Sequence, residues 1–156
     1  MTGETYTRTP VGKVINRGEP LVVTEKVLTA EAKAGHLMVV DGNDYKTKKS
    51  DGTMMPAGWL SFEHTDLKFR PVSYETAFAA GDTVAVVSGG DFEVYAFATG
   101  AASTGSEITT GTLLYDNGDG TLTAAAADGA LPVARALESL SVPAAETVRI
   151  AVKSLI

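Results

Sequence analysis

The residues that come nearest to a chemical motif in this sequence are the carboxylates of Asp116-Asn117-Gly118-Asp119-Gly120. Closely spaced carboxylate and carbonyl oxygens are the ligands that calcium takes in acidic loops. An EF-hand loop beginning at Asp116 also needs a glutamate at its twelfth position, which here is Ala127. Asn-Gly and Asp-Gly are equally typical of a tight hairpin turn, because these residues tolerate the positive φ that the turn requires. We therefore predict a hairpin turn here and no metal site.

The sequence gives no indication of a catalytic centre. His36 and His64 are the only histidines, and neither has a second histidine or a carboxylate at the helical spacing of a zinc site. Cysteine is absent. No Gly-x-Ser-x-Gly elbow is present, and the nearest string, Thr104-Gly105-Ser106, lies in a polar stretch. We predict that the protein is not an enzyme and uses no cofactor.

Charge and hydropathy argue against two classes of partner. The chain has 13 basic and 19 acidic residues, and its net charge of −6 opposes binding to a phosphate backbone. No apolar run approaches the length of about 18 residues that a membrane helix needs, and Met1–Pro20 is polar and unlike a signal peptide. We expect no nucleic-acid partner, no membrane segment, and a protein made in the cytoplasm and used there or released without secretion.

A strand–turn–strand pattern recurs along the chain and determines the predicted fold. The turns of its three occurrences are Asp41–Asp44, Gly89–Asp91 and Asp116–Gly120. A small residue and a glycine precede each first strand, as Ala34-Gly35, Ala80-Gly81 and Thr110-Gly111. Setting Gly35 against Gly111 also pairs Leu37 with Leu113, Gly42 with Gly118 and Thr47 with Thr123. Short strands at such intervals predict an all-β fold with minor helix, a small barrel or sandwich of hairpins.

Several segments outside this pattern are less clearly specified. Leu21–Leu28 and Val148–Leu155 are predicted strands, and the second places Val148, Ile150 and Val152 inward. Asp66–Val72 resembles an edge strand, and Ser73–Ala80 suits two helical turns. Leu131–Leu140 has apolar spacing that fits a strand or a helix, and the flanking loop signals favour the strand.

Domain organisation follows from the polar stretches. Met1–Pro20 is either a frayed terminus or an extended arm that becomes ordered against a neighbouring subunit. Residues 21–156 form the β-rich domain, with a boundary between two lobes near residues 99–110. Trp59, the only tryptophan, suits the core or a subunit interface.

Several short segments of the sequence resemble those of the small head-decoration, or capsid-cement, proteins of tailed bacterial and archaeal viruses. The resemblance is carried by Ala79–Val84, Gly118–Ala124 and Leu131–Glu138, and it covers about Ala79 to Ile156 with a looser echo at Ala34–Thr47. It implies a β-barrel or β-tulip-like fold. It also implies assembly, usually as trimers, on an icosahedral head, where the protein bridges major-capsid subunits and its N-terminal arm crosses neighbouring subunits.

Under this interpretation the protein is a structural virion protein on the capsid surface, present in the host cytoplasm before assembly. The expected partners are the major capsid protein and further copies of this chain. The family has no chemical motif to transfer, so contact residues are chosen by expected exposure and residue type: Tyr6, Arg8, Arg17 and Trp59. The alternative function is a small β-barrel module that binds a sugar or another ligand, which requires a concave face with aromatic and polar groups.

Overall fold

Thirteen short strands and one 3₁₀ turn make up the computed structural model, which describes residues 13–156. The first seven strands are β1 Ile15–Gly18, β2 Val22–Leu28, β3 Leu37–Asp41, β4 Asn43–Lys49, β5 Gly58–Ser61, β6 Thr83–Ser88 and β7 Phe92–Thr99. The other six are β8 Ser106–Ile108, β9 Leu113–Asp116, β10 Leu122–Thr123, β11 Ala134–Ala136, β12 Leu140–Val142 and β13 Thr147–Ser154. The 3₁₀ turn is Leu67–Phe69. The predicted all-β fold built of a small barrel is confirmed.

The strands form two closed barrels with the same order of pairing. The N-terminal barrel is β2-β4-β3-β5-β6, closed by the β2–β6 pair. The C-terminal barrel is β7-β10-β9-β11-β13, closed by the β7–β13 pair. In both, the first strand pairs in parallel with the second, and every other pair is antiparallel. The chain is thus a tandem repeat of one five-stranded barrel.

The ladders give the equivalent residues of the two barrels. Leu37 pairs with Trp59 in the N-terminal barrel, and Leu113 pairs with Arg135 in the C-terminal barrel. Trp59 next pairs with Val87, and Arg135 with Lys153. Val87 pairs with Val23, and Lys153 with Glu93. Leu37 and Leu113 are also the residues that the sequence repeat sets against each other, so that part of the repeat is a repeat of the fold. The pairing of Thr47 with Thr123 is wrong by one residue, because Thr47 pairs with Val40 and the equivalent residue Asp116 pairs with Leu122.

Four β-turns with the same hydrogen bond open β3, β6, β9 and β13. The turns are residues 33–36, 79–82, 109–112 and 143–146. In each, the N–H of the fourth residue donates to the carbonyl of the first at 3.0 to 3.1 Å. The third residue is Gly35, Gly81 or Gly111 in three turns, with φ of 98°, 96° and 93°, and Ala145 with φ of 59° in the fourth. A positive φ at this position favours glycine because it has no Cβ to clash.

The two barrels share one hydrophobic core. Buried residues of both barrels, among them Trp59, Phe78, Phe92 and Ile150, belong to a single cluster. Hydrogen bonds cross between the barrels: the indole N–H of Trp59 donates to Ser154 Oγ at 2.9 Å, and the N–H of Leu37 donates to the carbonyl of Gly120 at 2.9 Å. The barrels are therefore packed as one body with specific polar contacts between them.

Several predicted elements are corrected by the structure. Residues 13–20, the described part of the expected N-terminal arm, are not frayed. They include β1, which pairs with β7, and Val14 and Ile15 are buried. Asp66–Val72 is not a strand: Asp66 caps the 3₁₀ turn by accepting the N–H of Lys68 at 3.0 Å. Ser73–Ala80 has no helical turns, because Phe78 enters the core and bridges Ala32 as an extended residue.

Two other expectations concern boundaries. Within the segment that fitted a strand or a helix, residues 134–136 form β11, so the strand prediction is confirmed there. The chain leaves the N-terminal barrel at Ser88 and enters the C-terminal barrel at Phe92. Residues 99–110, where a lobe boundary was expected, lie within the C-terminal part of the chain and contribute β8, which pairs with β12.

Candidate interaction surfaces

The structure divides the four predicted contact residues into three groups. Tyr6 and Arg8 lie outside the described residues. Arg17 is exposed on β1. Trp59 is fully buried between the barrels, with its indole N–H bonded to Ser154. Its selection as a surface contact is therefore wrong, and its other expected role in the core is confirmed.

Arg17 lines a shallow pocket of about 230 Å³ beside Lys13, Glu19, Glu63 and His64. Glu63 fixes the strand that carries Arg17, because its Oε1 accepts the N–H of Val14 at 3.0 Å and its Oε2 accepts the N–H of Ile15 at 2.7 Å. Hydrogen bonds from backbone N–H groups to a carboxylate are stronger than those between neutral groups. The N-terminal barrel thus holds β1 in place against the C-terminal barrel.

His64, which lines this pocket, and its neighbour Ser61 have the residue types of a base and a nucleophile. Ser61 Oγ lies 2.8 Å from His64 Nδ1 and accepts the backbone N–H of His64 at 3.2 Å. The nearest carboxylate to the other ring nitrogen is Glu19, at 3.9 Å from His64 Nε2. Ser61 is fully buried, so its hydroxyl is not presented to the pocket. The pair stabilises the loop that follows β5.

The acidic segment 116–120 is the predicted hairpin turn. It joins β9 to β10, in which Asp116 pairs with Leu122. Its carboxylates are used within the fold: Asp116 Oδ1 accepts the N–H of Gly118 at 2.8 Å, and Asp119 Oδ1 accepts the N–H of Thr121 at 3.0 Å. Across residues 13–156, no group of three or more histidine and acidic side chains is arranged to hold a metal ion.

A groove of about 300 Å³ lies where the two barrels meet, lined by Glu31, Lys33, His36, Lys49, Phe97 and Thr147 among others. The rings of His36 and Phe97 lie 4.6 Å apart between centroids. Burial, together with the positive charges of Lys49 and Arg149, lowers the pKa of His36 to about 3. Its Nδ1 accepts the N–H of Lys33 at 2.9 Å, so the neutral ring carries its proton on Nε2.

Arg149 packs against Phe97, one of the residues that line this groove. Its guanidinium carbon lies 4.1 Å from the centre of the Phe97 ring and 5.2 Å from that of Tyr74. Its Nη1 donates to the carbonyl of Tyr95 at 2.7 Å, and its Nη2 donates to Glu75 at 2.7 Å. Because Glu75 lies on the connection between β5 and β6, this contact ties the two barrels together. The guanidinium is committed to the fold.

Exposed large apolar side chains include three groups of near neighbours in the sequence. One is Leu21, Val22 and Val23 at the start of β2. The others are Met54 and Met55 in the loop before β5, and Leu67 and Val72 in the connection between β5 and β6, of which Val72 is 97% exposed. Apolar surface at neighbouring residues is typical of protein interaction sites. Val22 and Val23 could not be selected from the sequence, because apolar strand residues are expected inside and only the pairing leaves them outside.

Among residues 13–156, no strand pairs with one side of the start of β2. One side of β2 pairs with β6 along residues 22–27, whereas β4 pairs with the other side only at Val27 and Leu28. The equivalent part of β7 is covered by β1. Val22 is 48% exposed, whereas Phe92, at the equivalent position of β7, is 1% exposed. We refer to residues Val22–Glu25 on this side as the β2 edge.

Comparison with known protein families and with curated proteins finds no match for this chain. No helix within residues 13–156 has the length and apolarity needed to cross a bilayer.

Proposed function

We propose that the protein is a structural virion protein that decorates and stabilises an icosahedral capsid by bridging major-capsid subunits, without catalysis. The observation that carries the proposal is the location of large apolar side chains on the outside of the double barrel, at Leu21–Val23 and in the two loops on either side of β5, which contain Met55, Leu67 and Val72. A protein that acts by covering and joining other proteins needs such surfaces more than a deep cavity.

The resemblance to head-decoration proteins supplies the class of partner, and the residues are compatible with it. The net charge of −6 keeps the protein soluble before assembly and disfavours nucleic acid. The partners are the major capsid protein and further copies of this chain, most simply in a trimer, and no membrane is involved. The protein resides in the host cytoplasm and then on the virion. Arg17 is exposed on β1 and is a candidate contact, and Tyr6 and Arg8, which lie outside the described residues, are further candidates.

Capsid binding is tested by co-sedimentation of the purified protein with expanded heads built from the major capsid protein of the virus that encodes it. We expect saturable binding with a fixed ratio of copies to capsid subunits, and heads that resist heat better when decorated. Met55→Lys with Val72→Lys places one charge in each of the exposed apolar loops on either side of β5 and should weaken binding. Arg135→Glu, on the exposed face of β11, is the control for a surface charge change. Failure of the unmodified protein to sediment with the heads would contradict the proposal.

The alternative function is a module that binds a small ligand, and the groove between the barrels favours it. The groove presents the Phe97 ring, the Nε2–H of neutral His36 and the ammonium groups of Lys33 and Lys49. Aromatic faces beside a few polar groups are typical of sugar and anion sites. Binding to a panel of neutral and acidic oligosaccharides, measured by calorimetry, tests it. A ligand whose binding is abolished by Phe97→Ala, while the protein ignores capsids, would favour this function over decoration.

A further inference from the structure

The groove between the barrels collects positive charge, although the chain as a whole has a net charge of −6. Lys33, His36 and Lys49 line it together. Within residues 13–156, no carboxylate forms an ion pair with Lys33 or Lys49. Their neighbour Lys48, by contrast, pairs with Asp51 at 3.0 Å. The two ammonium groups at the groove are therefore available to an anion.

His36 supplies a hydrogen-bond donor to the same groove. Its Nδ1 accepts the backbone N–H of Lys33 at 2.9 Å, and its Nε2–H has no hydrogen-bond partner among residues 13–156. Burial, followed by the positive charges of Lys49, Arg149 and Lys33, lowers the pKa of the ring to about 3. At neutral pH the ring is therefore an uncharged donor with cations around it. The contact with the Phe97 ring, at 4.6 Å between centroids, fixes its orientation.

The C-terminal barrel shows that the turn itself does not require these side chains. In the equivalent turn, residues 109–112, Thr109 and Thr112 take the places of Lys33 and His36. Thr112 Oγ1 accepts the N–H of Thr109 at 3.3 Å, as His36 Nδ1 accepts that of Lys33. A threonine therefore suffices for this hydrogen bond, and the fold makes no use of the ammonium group or the Nε2–H. A few polar groups that converge on one groove in this way are typical of a ligand site.

We propose that the groove binds phosphate, as the free ion or as the phosphate group of a small molecule, with Lys33 and Lys49 as counter-charges and the His36 Nε2–H as donor. A phosphate monoester carries a charge of about −1.5 to −2 at pH 7, which two ammonium groups balance. Lysine is a usual ligand of phosphate, as a point charge. The groove volume of about 300 Å³ exceeds that of a phosphate group alone, so a small organic group fits beside it. The proposal goes beyond capsid decoration, and its ligand differs from the oligosaccharides of the alternative function.

Two carboxylates oppose an anion at this site. Glu31 is exposed and also lines the groove. The negative charge of Asp119 acts on the His36 ring against the effect of the cations. Asp119 is held within its own turn, because its Oδ1 accepts the N–H of Thr121 at 3.0 Å. Glu31 is therefore the side chain whose neutralisation should strengthen the binding of phosphate.

The test is calorimetric titration of the purified full-length protein with glucose 6-phosphate, inorganic phosphate and glucose, at low ionic strength and about pH 7.5, where phosphate is mostly a dianion. We expect both phosphates to bind and glucose not to bind. Lys33→Thr, which gives position 33 the side chain of position 109, and Lys49→Ala should each weaken binding about fivefold, and Glu31→Gln should strengthen it. Lys46→Ala removes a positive charge from the same strand as Lys49 but outside the groove, and should leave the affinity unchanged. Tighter binding of the ester than of the ion would assign the rest of the groove to the organic group, whereas equal binding would assign the site to the free ion.

Absence of phosphate binding would overturn the proposal. Binding that Lys33→Thr and Lys49→Ala leave unchanged, or that Lys46→Ala weakens equally, would also overturn it, because the ion would then be held elsewhere or by net charge alone. His36→Thr removes the Nε2–H without changing the charge at neutral pH, so unchanged binding by this variant would exclude the ring as the donor. Circular dichroism of each variant shows whether the barrels are folded. Because no capsid is used, a protein that binds phosphate but ignores heads would contradict decoration and leave the phosphate site supported.

Discussion

The third position of the four repeated turns provides a graded test of the structure. Gly35, Gly81 and Gly111 occupy it at φ between 93° and 98°, and Ala145 occupies it at φ of 59°. A residue with a Cβ in the left-handed region is strained by about 1–2 kcal/mol. Glycine loses more entropy on folding, by about 0.5–1 kcal/mol. Ala145 is exposed, so its methyl group contributes little burial, and Ala145→Gly should raise the free energy of unfolding by about 0.5–1 kcal/mol.

The reverse change at the other turns should separate strain from steric overlap. A Cβ at Gly81 or Gly111 would meet no atom within 4 Å. Gly111→Ala therefore adds only backbone strain and should destabilise by about 1 kcal/mol. At Gly35 the added Cβ would lie 2.4 Å from the carbonyl oxygen of Tyr95 and 2.5 Å from Arg149 Nη1. Because one of these is backbone in the other barrel, Gly35→Ala should cost about 2–4 kcal/mol.

Urea denaturation measures the free energy of unfolding of each variant. A shift of the denaturation midpoint with an unchanged m-value reports a change in stability. The matched control is Ala144→Gly, the preceding residue of the same turn, which is exposed and has no positive φ. There glycine brings only its entropic cost, so stability should fall by about 0.5–1 kcal/mol. Equal effects of glycine at positions 144 and 145, or equal effects of alanine at positions 35 and 111, would refute the reasoning.

Three further predictions concern residues that position the barrels. The pKa of His36 is about 3 in the folded protein and 6.5 at its ordinary value, so the unfolded chain binds a proton more readily. The free energy of unfolding should therefore fall as the pH is lowered from 6.5 to 3, by at most about 1.4 kcal/mol per pH unit. At the equivalent position of the 109–112 turn, Thr112 Oγ1 accepts the N–H of Thr109 at 3.3 Å, so His36→Thr keeps an acceptor for the N–H of Lys33. In urea titrations this variant should flatten the slope, and an unchanged slope would exclude His36 as its source. Glu63→Gln should speed hydrogen exchange at Val14 and Ile15 about tenfold or more, because it loses a charged acceptor; unchanged exchange would mean that pairing with β7 alone holds β1. Trp59→Phe should lower the free energy of unfolding by about 1–3 kcal/mol, because the hydrogen bond to Ser154 is lost. An unchanged melting temperature would contradict a role of Trp59 in joining the two barrels.

Local features of the fold were readable from the sequence because they depend on single residues. Gly42 and Gly118 both have φ of 83°, and the turns they occupy lie where the glycines predicted them. β6, Thr83–Ser88, lies between Gly81 and the predicted turn at Gly89–Asp91, as the repeated pattern predicted. The helical turns expected at Ser73–Ala80 did not form, because burying Phe78 in the core outweighs a weak local preference for helix.

The candidate surfaces were less predictable. Trp59 was selected for its residue type, and its burial depends on Ser154, which lies far along the chain. Arg17 was selected correctly as an exposed residue, but Glu63, which holds its strand, had no distinguishing local signal. The groove beside Phe97 joins residues of both barrels, so no single segment of the sequence shows it.

The sequence by itself determined the all-β class, the positions of most turns and the repeat that sets Gly35 against Gly111, because each rests on local φ preferences and on alternating polarity. Only the tertiary structure decided that the repeat is two closed barrels, that Trp59 is inside, and that β1 covers β7 while no strand within residues 13–156 covers the β2 edge. These are choices between pairings of distant segments with similar local chemistry. They are made by the packing of the whole core, which no single segment encodes.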